Sequence, residues 1–212
     1  TGVSMQGASG ATATMVAASA INSGICSTVL VVMGNSREDA TRQGRIAGRG
    51  TPGPSVRSEW EEPYGMAPGA NTGYGLIYRR HMHEYGTTEE QLAKMAADQR
   101  FNAMENVNAV FHGQPATRED VLNSRYINEP LKLLESVMPC DGAAALVLTS
   151  PERAKTMKNK PAYILGVGLQ QGEANIWQRE KFTETPTVES SRRALQMAGY
   201  NPSDIEFAEF YD

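Results

Sequence analysis

Val3-Ser4-Met5-Gln6-Gly7-Ala8-Ser9-Gly10, then an alanine-rich run (Ala11, Ala13, Ala17, Ala18, Ala20), Gly24 and finally Thr28-Val29-Leu30-Val31-Val32 form the stretch that sets the fold class. Glycines at 7 and 10 read as a tight turn, and the small side chains after them as a helix that packs closely on its neighbours. Gly24 is expected to close that helix, because glycine takes the left-handed conformation without strain. The β-branched run is expected to be a strand buried on both faces. The order is turn, buried helix, buried strand. The first helical amides lack intrahelical acceptors and sit at the positive end of the helix dipole, so they favour an anion, an oxyanion or a thiolate.

Outward from this stretch, residues 35–73 are rich in glycine, proline and charge, with Arg37, Arg42, Arg45, Arg49 and Arg57, and read as an excursion from the core. Residues 74–85 are helix-like. Thr88 and Gln91 form a capping box for a helix running to about Met104, and Thr117-Arg118-Glu119-Asp120 opens a shorter one. A strand over 143–149, a short helix after Pro151 and a polar linker at 155–160 follow. The remainder reads as a strand over 162–169, an excursion over 170–182, a helix over 186–198 closed by Gly199, and a strand over 205–210. Alternating strands and helices predict an α/β architecture.

With 212 residues, 40% apolar content and a net charge of −4, the chain has material for one globular domain or one and a half, and it is not a basic nucleic-acid binder. No apolar run reaches membrane-spanning length and no signal-type segment opens the chain, so no membrane association and a cytoplasmic location are expected. Cys26 and Cys140 lack metal-ligand spacing and read as small buried fillers with free thiols. His81 and His83 lie two apart in a helical stretch and so on different faces, which argues against a metal site; His112 reads as a surface loop residue.

The opening stretch resembles the thiolase superfamily, especially its lipid-transfer and sterol-carrier branch, whose nucleophile segment reads roughly V-N-N-N-C-A-T-G before an alanine-rich helix. Gly7 takes the cysteine's place. Asp141-Gly142-Ala143-Ala144-Ala145-Leu146-Val147-Leu148 is similar to the family's strand preceded by S-D-G-A-A-A, and Tyr85-Gly86-Thr87-Thr88-Glu89-Glu90-Gln91-Leu92-Ala93 to a helix start in that branch's loop domain. Asp204-Ile205-Glu206-Phe207-Ala208-Glu209-Phe210-Tyr211-Asp212 resembles D-I-x-x-x-E-x-N-E-A-F, with Tyr211-Asp212 in place of Asn-Glu. The four motifs keep the family's order and cover nearly the whole chain.

The resemblance implies a layered αβαβα thiolase-like fold, here as a partial chain with a helical loop domain. Residues 1–34 would belong to the N-terminal thiolase domain, 35–135 to the loop domain over the active site, 136–158 to the return into the N-terminal domain and 159–212 to the start of the C-terminal domain. The family has strands before the nucleophile loop, and a second cysteine and a histidine in later segments, so a piece of a larger molecule with unpaired sheet edges is expected.

A thiolase forms an acyl-enzyme on its cysteine, which Gly7 cannot do. Taken on their own, Gly7 and Gly10 make a turn; under the resemblance, Gly7, Ser9 and Gly10 form a loop whose backbone donors cradle a thioester oxygen. Gly7-Ala8-Ser9-Gly10-Ala11 nearly spells the G-x-S-x-G nucleophile elbow, yet no histidine follows late enough, and Ser9 reads as a helix-start hydroxyl. Tyr211 stands where thiolases carry an asparagine and the lipid-transfer branch often a histidine, which makes it the candidate proton donor or base, with Asp212 orienting it. On residues alone, Tyr211 is a strand-end tyrosine that packs.

Cysteine-less members of the branch resemble the aldol lyases of steroid degradation, which shorten lipid side chains. The implied activity is retro-aldol cleavage of a β-hydroxyacyl-CoA without an acyl-cysteine intermediate. It would use a coenzyme A thioester as substrate, no metal in this chain, a homodimeric assembly and a small OB-fold and zinc-ribbon partner protein. Some of the arginines between 37 and 57 would meet coenzyme A phosphates. Two alternatives stand beside it: a non-catalytic degenerate thiolase that binds acyl-CoA or a partner subunit, and a conventional acetyl-CoA acyltransferase.

Overall fold

The computed structural model describes residues 2–5, 7–35, 70–138, 140–173 and 178–210. Tyr211, Asp212 and the arginines at 37–57 lie outside the described residues. The helices are α1 (Ser9–Asn22), α2 (Ala70–Tyr85), α3 (Glu89–Glu105), α4 (Arg118–Asn123), α5 (Pro151–Ala154) and α6 (Thr187–Ala198). The strands are β1 (Thr28–Asn35), β2 (Tyr126–Asn128), β3 (Leu131–Lys132) and β4 (Gly142–Thr149), with 3₁₀ turns at Leu133–Glu135 and Pro202–Asp204. The chain divides into two compact units: Thr1–Ser36, Asp141–Glu173 and Thr185–Asp212 form the first, Arg37–Cys140 and Ala174–Glu184 the second.

In the first unit β1 and β4 pair antiparallel, from Thr28 opposite Thr149 to Asn35 opposite Gly142. α1 lies on the face that carries Val31, and buries Thr12 and Ala17. Small residues make that approach possible, and Thr12 satisfies its hydroxyl on its own helix by donating to Ala8 O (2.9 Å). Gly24, at φ 75°, ends α1: its amide donates to Ile21 O (3.1 Å) and that of Ile25 to Ala20 O (3.0 Å). Gly199, also at φ 75°, ends α6 in the same way, with Tyr200 N–H on Leu195 O (3.1 Å).

Three sequence expectations are corrected here. β1 is not buried on both faces: Leu30 and Val32 are 62% and 64% exposed, as is their neighbour Val147 at 66%. Apolarity on both faces records what the strand is suited to be covered by, whereas the described residues cover one face only. Residues 162–169 run without a ladder partner, and so do 205–210; a strand needs a hydrogen-bonded neighbour, and the described residues offer none. Cys26 is half-buried and Cys140 exposed, and the start of β4 that follows Cys140 is exposed as well.

The 162–169 segment lies against α6. A Cβ built on Gly166 would fall 3.0 Å from Ala198 N and onto the Ala194 carbonyl; one on Gly168 would fall 3.1 Å from Ala194 N and onto the Ser190 carbonyl. Two residues of extended chain span about 6.6 Å and four of helix about 6 Å, so alternate glycines meet successive turns.

In the second unit α3 starts on its capping box, with Thr88 N–H donating to Gln91 Oε1 (3.0 Å) and Glu89 and Glu90 in the first turn. α4 starts likewise: Asp120 N–H donates to Thr117 Oγ1 (3.2 Å) and Thr117 N–H to Asp120 Oδ2 (2.8 Å). Ala93 and Val121 are the fully buried apolar residues between these helices. Lys132 is only 6% exposed, its Nζ 3.3 Å from Glu89 Oε2 and 4.0 Å from the centre of the Tyr126 ring, and Tyr126 donates its hydroxyl to Glu89 Oε1 (3.0 Å). Lys132 N–H donates to Glu135 Oε2 (2.7 Å), while Glu135 Oε1 is buried with no hydrogen-bond partner, and burial pushes this carboxyl's pKa up against the pull of the Lys132 amide. Burial, then Glu135, Glu89 and Glu90, push Tyr78 up to about 12. Thr183 donates to Glu84 Oε2 (2.8 Å), which ties 178–184 to the last turn of α2.

Candidate active site

The segment before α1 folds back on the helix. Ala8 N–H donates to Met5 O (3.1 Å), Met5 N–H donates to Ser9 Oγ (2.8 Å), and Met5 and Gly7 form an isolated bridge. Ser9 therefore clasps the loop from the first position of the helix, consistent with a helix-start hydroxyl. Gly7 and Ala8 are exposed and Ser9 and Gly10 half-buried, so the loop is reachable.

α1 differs from α3 and α4 at this end. Its N-cap is Ala8, no side chain caps the first turn, and no acidic residue stands in it. Alanine is among the poorest N-caps, because it has no oxygen to accept from the first amides. The positive end of the dipole is left uncompensated by any side chain of the helix, in a loop with no titratable group. Such a place can bind and stabilise negative charge on oxygen; it cannot itself take a proton or attack a carbonyl.

Gly10 is not a turn glycine. It lies inside α1, and a Cβ there would sit 2.7 Å from Met33 Cε and closer still to Met33 Sδ. The first turn of α1 therefore rests on the last part of β1. Since Asn35 pairs with Gly142, the Asp141-Gly142 start of β4 is at that same end of the sheet. Two of the four sequence motifs are thus brought together. The Tyr85–Ala93 motif belongs to the second unit. Met33 carried no signal in the sequence beyond ending an apolar run; the one clue was a glycine placed where a helix, not a turn, was under way.

A cleft of about 1,100 Å³ in the first unit follows the second half of α1, the end of β4, α5 and 157–167, and so lies away from Gly7. Among the described residues no group of three His, Cys, Asp or Glu gathers as a metal site, and no helix is long and apolar enough to cross a membrane. His81 Nδ1 is 2.7 Å from Thr87 Oγ1, with its ring 4.6 Å from that of Tyr85, and His112 is exposed in a turn.

Residues 168–212 match the family described as Thiolase C-terminal domain-like. A steroid side-chain-cleaving aldolase of Thermomonospora curvata is 37% identical over 163 residues, covering 74% of this chain and 41% of that protein. A 17-hydroxy-3-oxo-4-pregnene-20-carboxyl-CoA lyase of Mycobacterium tuberculosis is 32% identical over 205 residues, covering 92% and 53%. Among solved structures, the Ltp2-ChsH2(DUF35) aldolase superposes with a TM-score of 0.81 at 31% identity, over 92% of this chain and 50% of that one.

The chain belongs to the thiolase superfamily. Its fold is a partial α/β thiolase-like fold, and it spans about two fifths to one half of the length of these relatives. Acetyl-CoA acetyltransferases also stand among the similar proteins, so thiolase ancestry leaves the chemistry to be argued from the site.

Proposed function

We propose that this thiolase-superfamily protein is a lyase that cleaves a carbon–carbon bond of a β-hydroxyacyl-CoA by a retro-aldol reaction, with no acyl-enzyme. The observation that carries this reading is the first turn of α1: an accessible helix start without a side-chain cap, with Gly7 where a nucleophile would stand, in a chain similar to aldolases. A base takes the proton of the β-hydroxyl. The electron pair of that O–H bond forms the new carbonyl, the Cα–Cβ bond breaks, and its pair passes into the thioester as an enolate. Protonation at Cα then yields the shortened acyl-CoA. The amides at Gly7, Ser9 and Gly10 hold the enolate oxygen, a role in which loss of a single donor costs about 10²–10³ in kcat.

Tyr211 supplies the proton transfer and Asp212 orients it, at the place where the family carries its asparagine or histidine. The substrate class is a coenzyme A thioester of a lipid or steroid side chain, in keeping with what the similar lyase and aldolase are named for. The partner is a small OB-fold and zinc-ribbon protein, a reading supported by the two-component naming of the similar aldolase structure. A homodimer, a cytoplasmic site of action, and residues 35–135 acting as the family's loop domain complete it. A conventional acetyl-CoA acyltransferase is disfavoured by Gly7.

Turnover of a β-hydroxyacyl-CoA by the full-length protein with its partner tests the reading. Release of a ketone or aldehyde together with the shortened acyl-CoA, abolished in Tyr211→Phe, is expected. Binding of acyl-CoA without turnover would point instead to a non-catalytic relative.

A further inference from the structure

We infer that Met33 is a positioning residue for the candidate oxyanion loop, acting through Gly10; this rests on the lyase reading for its catalytic consequence but not for its geometry. Gly10 is helical, so the freedom of glycine at positive φ is not what the position uses. What it uses is space. The space a Cβ would need is taken by the end of the Met33 side chain, with Cγ at 3.9 Å and Cε at 2.7 Å from that point.

Met33 leaves β1 on the face that carries buried Val31, the α1 side. Its partner across the sheet is Ala144, so in this pair the thioether is the large group that faces the first turn of α1. It is 46% exposed, at the mouth of the loop and not in the core. An unbranched, polarisable side chain fills such an irregular gap well. The loop is thereby held from two sides: Ser9 Oγ receives Met5 N–H on one, and Met33 supports Gly10 on the other. Met33 Sδ and Cε, the far end of an unbranched side chain, therefore bear on the first turn of α1 as long as they stay folded against Gly10. Oxyanion donors act only when placed to a fraction of an ångström, so the position of that turn is a catalytic quantity.

The experiment is a double-mutant cycle of Gly10→Ala and Met33→Ala in the full-length protein with its partner, with Met33→Leu as the conservative control. Gly10→Ala is expected to lower kcat about tenfold or more with KM within about threefold, the signature of an interaction made in the transition state. Gly10→Ala/Met33→Ala is expected to recover most of that loss, because the obstructing side chain is gone, and Met33→Leu to stay near wild type. A double variant no better than Gly10→Ala, or Gly10→Ala with wild-type kcat, would overturn the inference. Amide hydrogen exchange at Thr12, whose N–H donates to Ala8 O (3.0 Å), and at the two residues after it reads the same pair without any activity: protection is expected to change in Gly10→Ala and to return in the double variant. Should the wild type show no lyase turnover, the lyase reading fails while exchange still decides the Met33–Gly10 pair, and unchanged exchange in Gly10→Ala would refute it.

Discussion

Replacing Ser9 by alanine separates a clasp from a nucleophile. Ser9 Oγ accepts Met5 N–H at 2.8 Å in a half-buried setting. Its loss leaves that amide to water in the partly open loop, and side-chain bonds of this kind at helix starts are worth about 0.5–2 kcal/mol. A cost near 1 kcal/mol lowers the melting temperature of a unit this size by about 4–8 °C. The catalytic effect should be modest: the loop loosens and kcat falls by less than about tenfold, whereas loss of a true nucleophile costs on the order of 10⁴–10⁶. Ser9→Thr keeps the hydroxyl and should restore both melting point and rate. Thermal unfolding followed by circular dichroism, beside steady-state turnover, supplies both numbers. A kcat loss above about a thousandfold with an unchanged melting point would refute the clasp and reinstate the serine elbow.

Gly168→Ala drives a Cβ into the Ser190 carbonyl of α6 and is expected to destabilise the first unit by about 1–3 kcal/mol, since backbone must move; a denaturant midpoint unchanged from wild type would contradict the contact. Glu135 is expected to give the second unit a pH dependence. Its folded pKa is raised by burial, so its contribution is fully present below the unfolded glutamate pKa and is lost as pH rises through the folded one; the stability of the wild type relative to Glu135→Gln should fall across that window, as read by chemical denaturation of both at several pH values, and a difference that does not change with pH would contradict it.

Much of the local structure was legible because it depends on neighbours in sequence. The capping boxes at Thr88 and Thr117 and the left-handed glycines at 24 and 199 are short-range signals, and they set helix ends where the sequence puts them. What failed depends on partners far along or outside the described residues. Apolar-rich stretches at 162–169 and 205–210 suit an extended chain without saying that another strand lies beside it, and Leu30 and Val32 show the same gap between being coverable and being covered. Gly10 differs from the turn glycine that the sequence suggests for a related reason: a glycine chosen for φ and one chosen for space look alike in sequence, and Met33 lying against it tells them apart. The site was legible as a motif order. Its geometry at the helix start was not, nor was the absence of any cap on α1 once Ser9 turned its hydroxyl to Met5.

Chemistry without a covalent intermediate is the central claim, and intact-protein mass spectrometry during steady-state turnover of a β-hydroxyacyl-CoA tests it most directly. The full-length protein, sampled by acid quench with its partner present, should show its unmodified mass throughout while ketone or aldehyde and shortened acyl-CoA accumulate. A stable acyl adduct that forms and decays at the turnover rate would contradict the retro-aldol route and return the protein to the acyl-transferring thiolases.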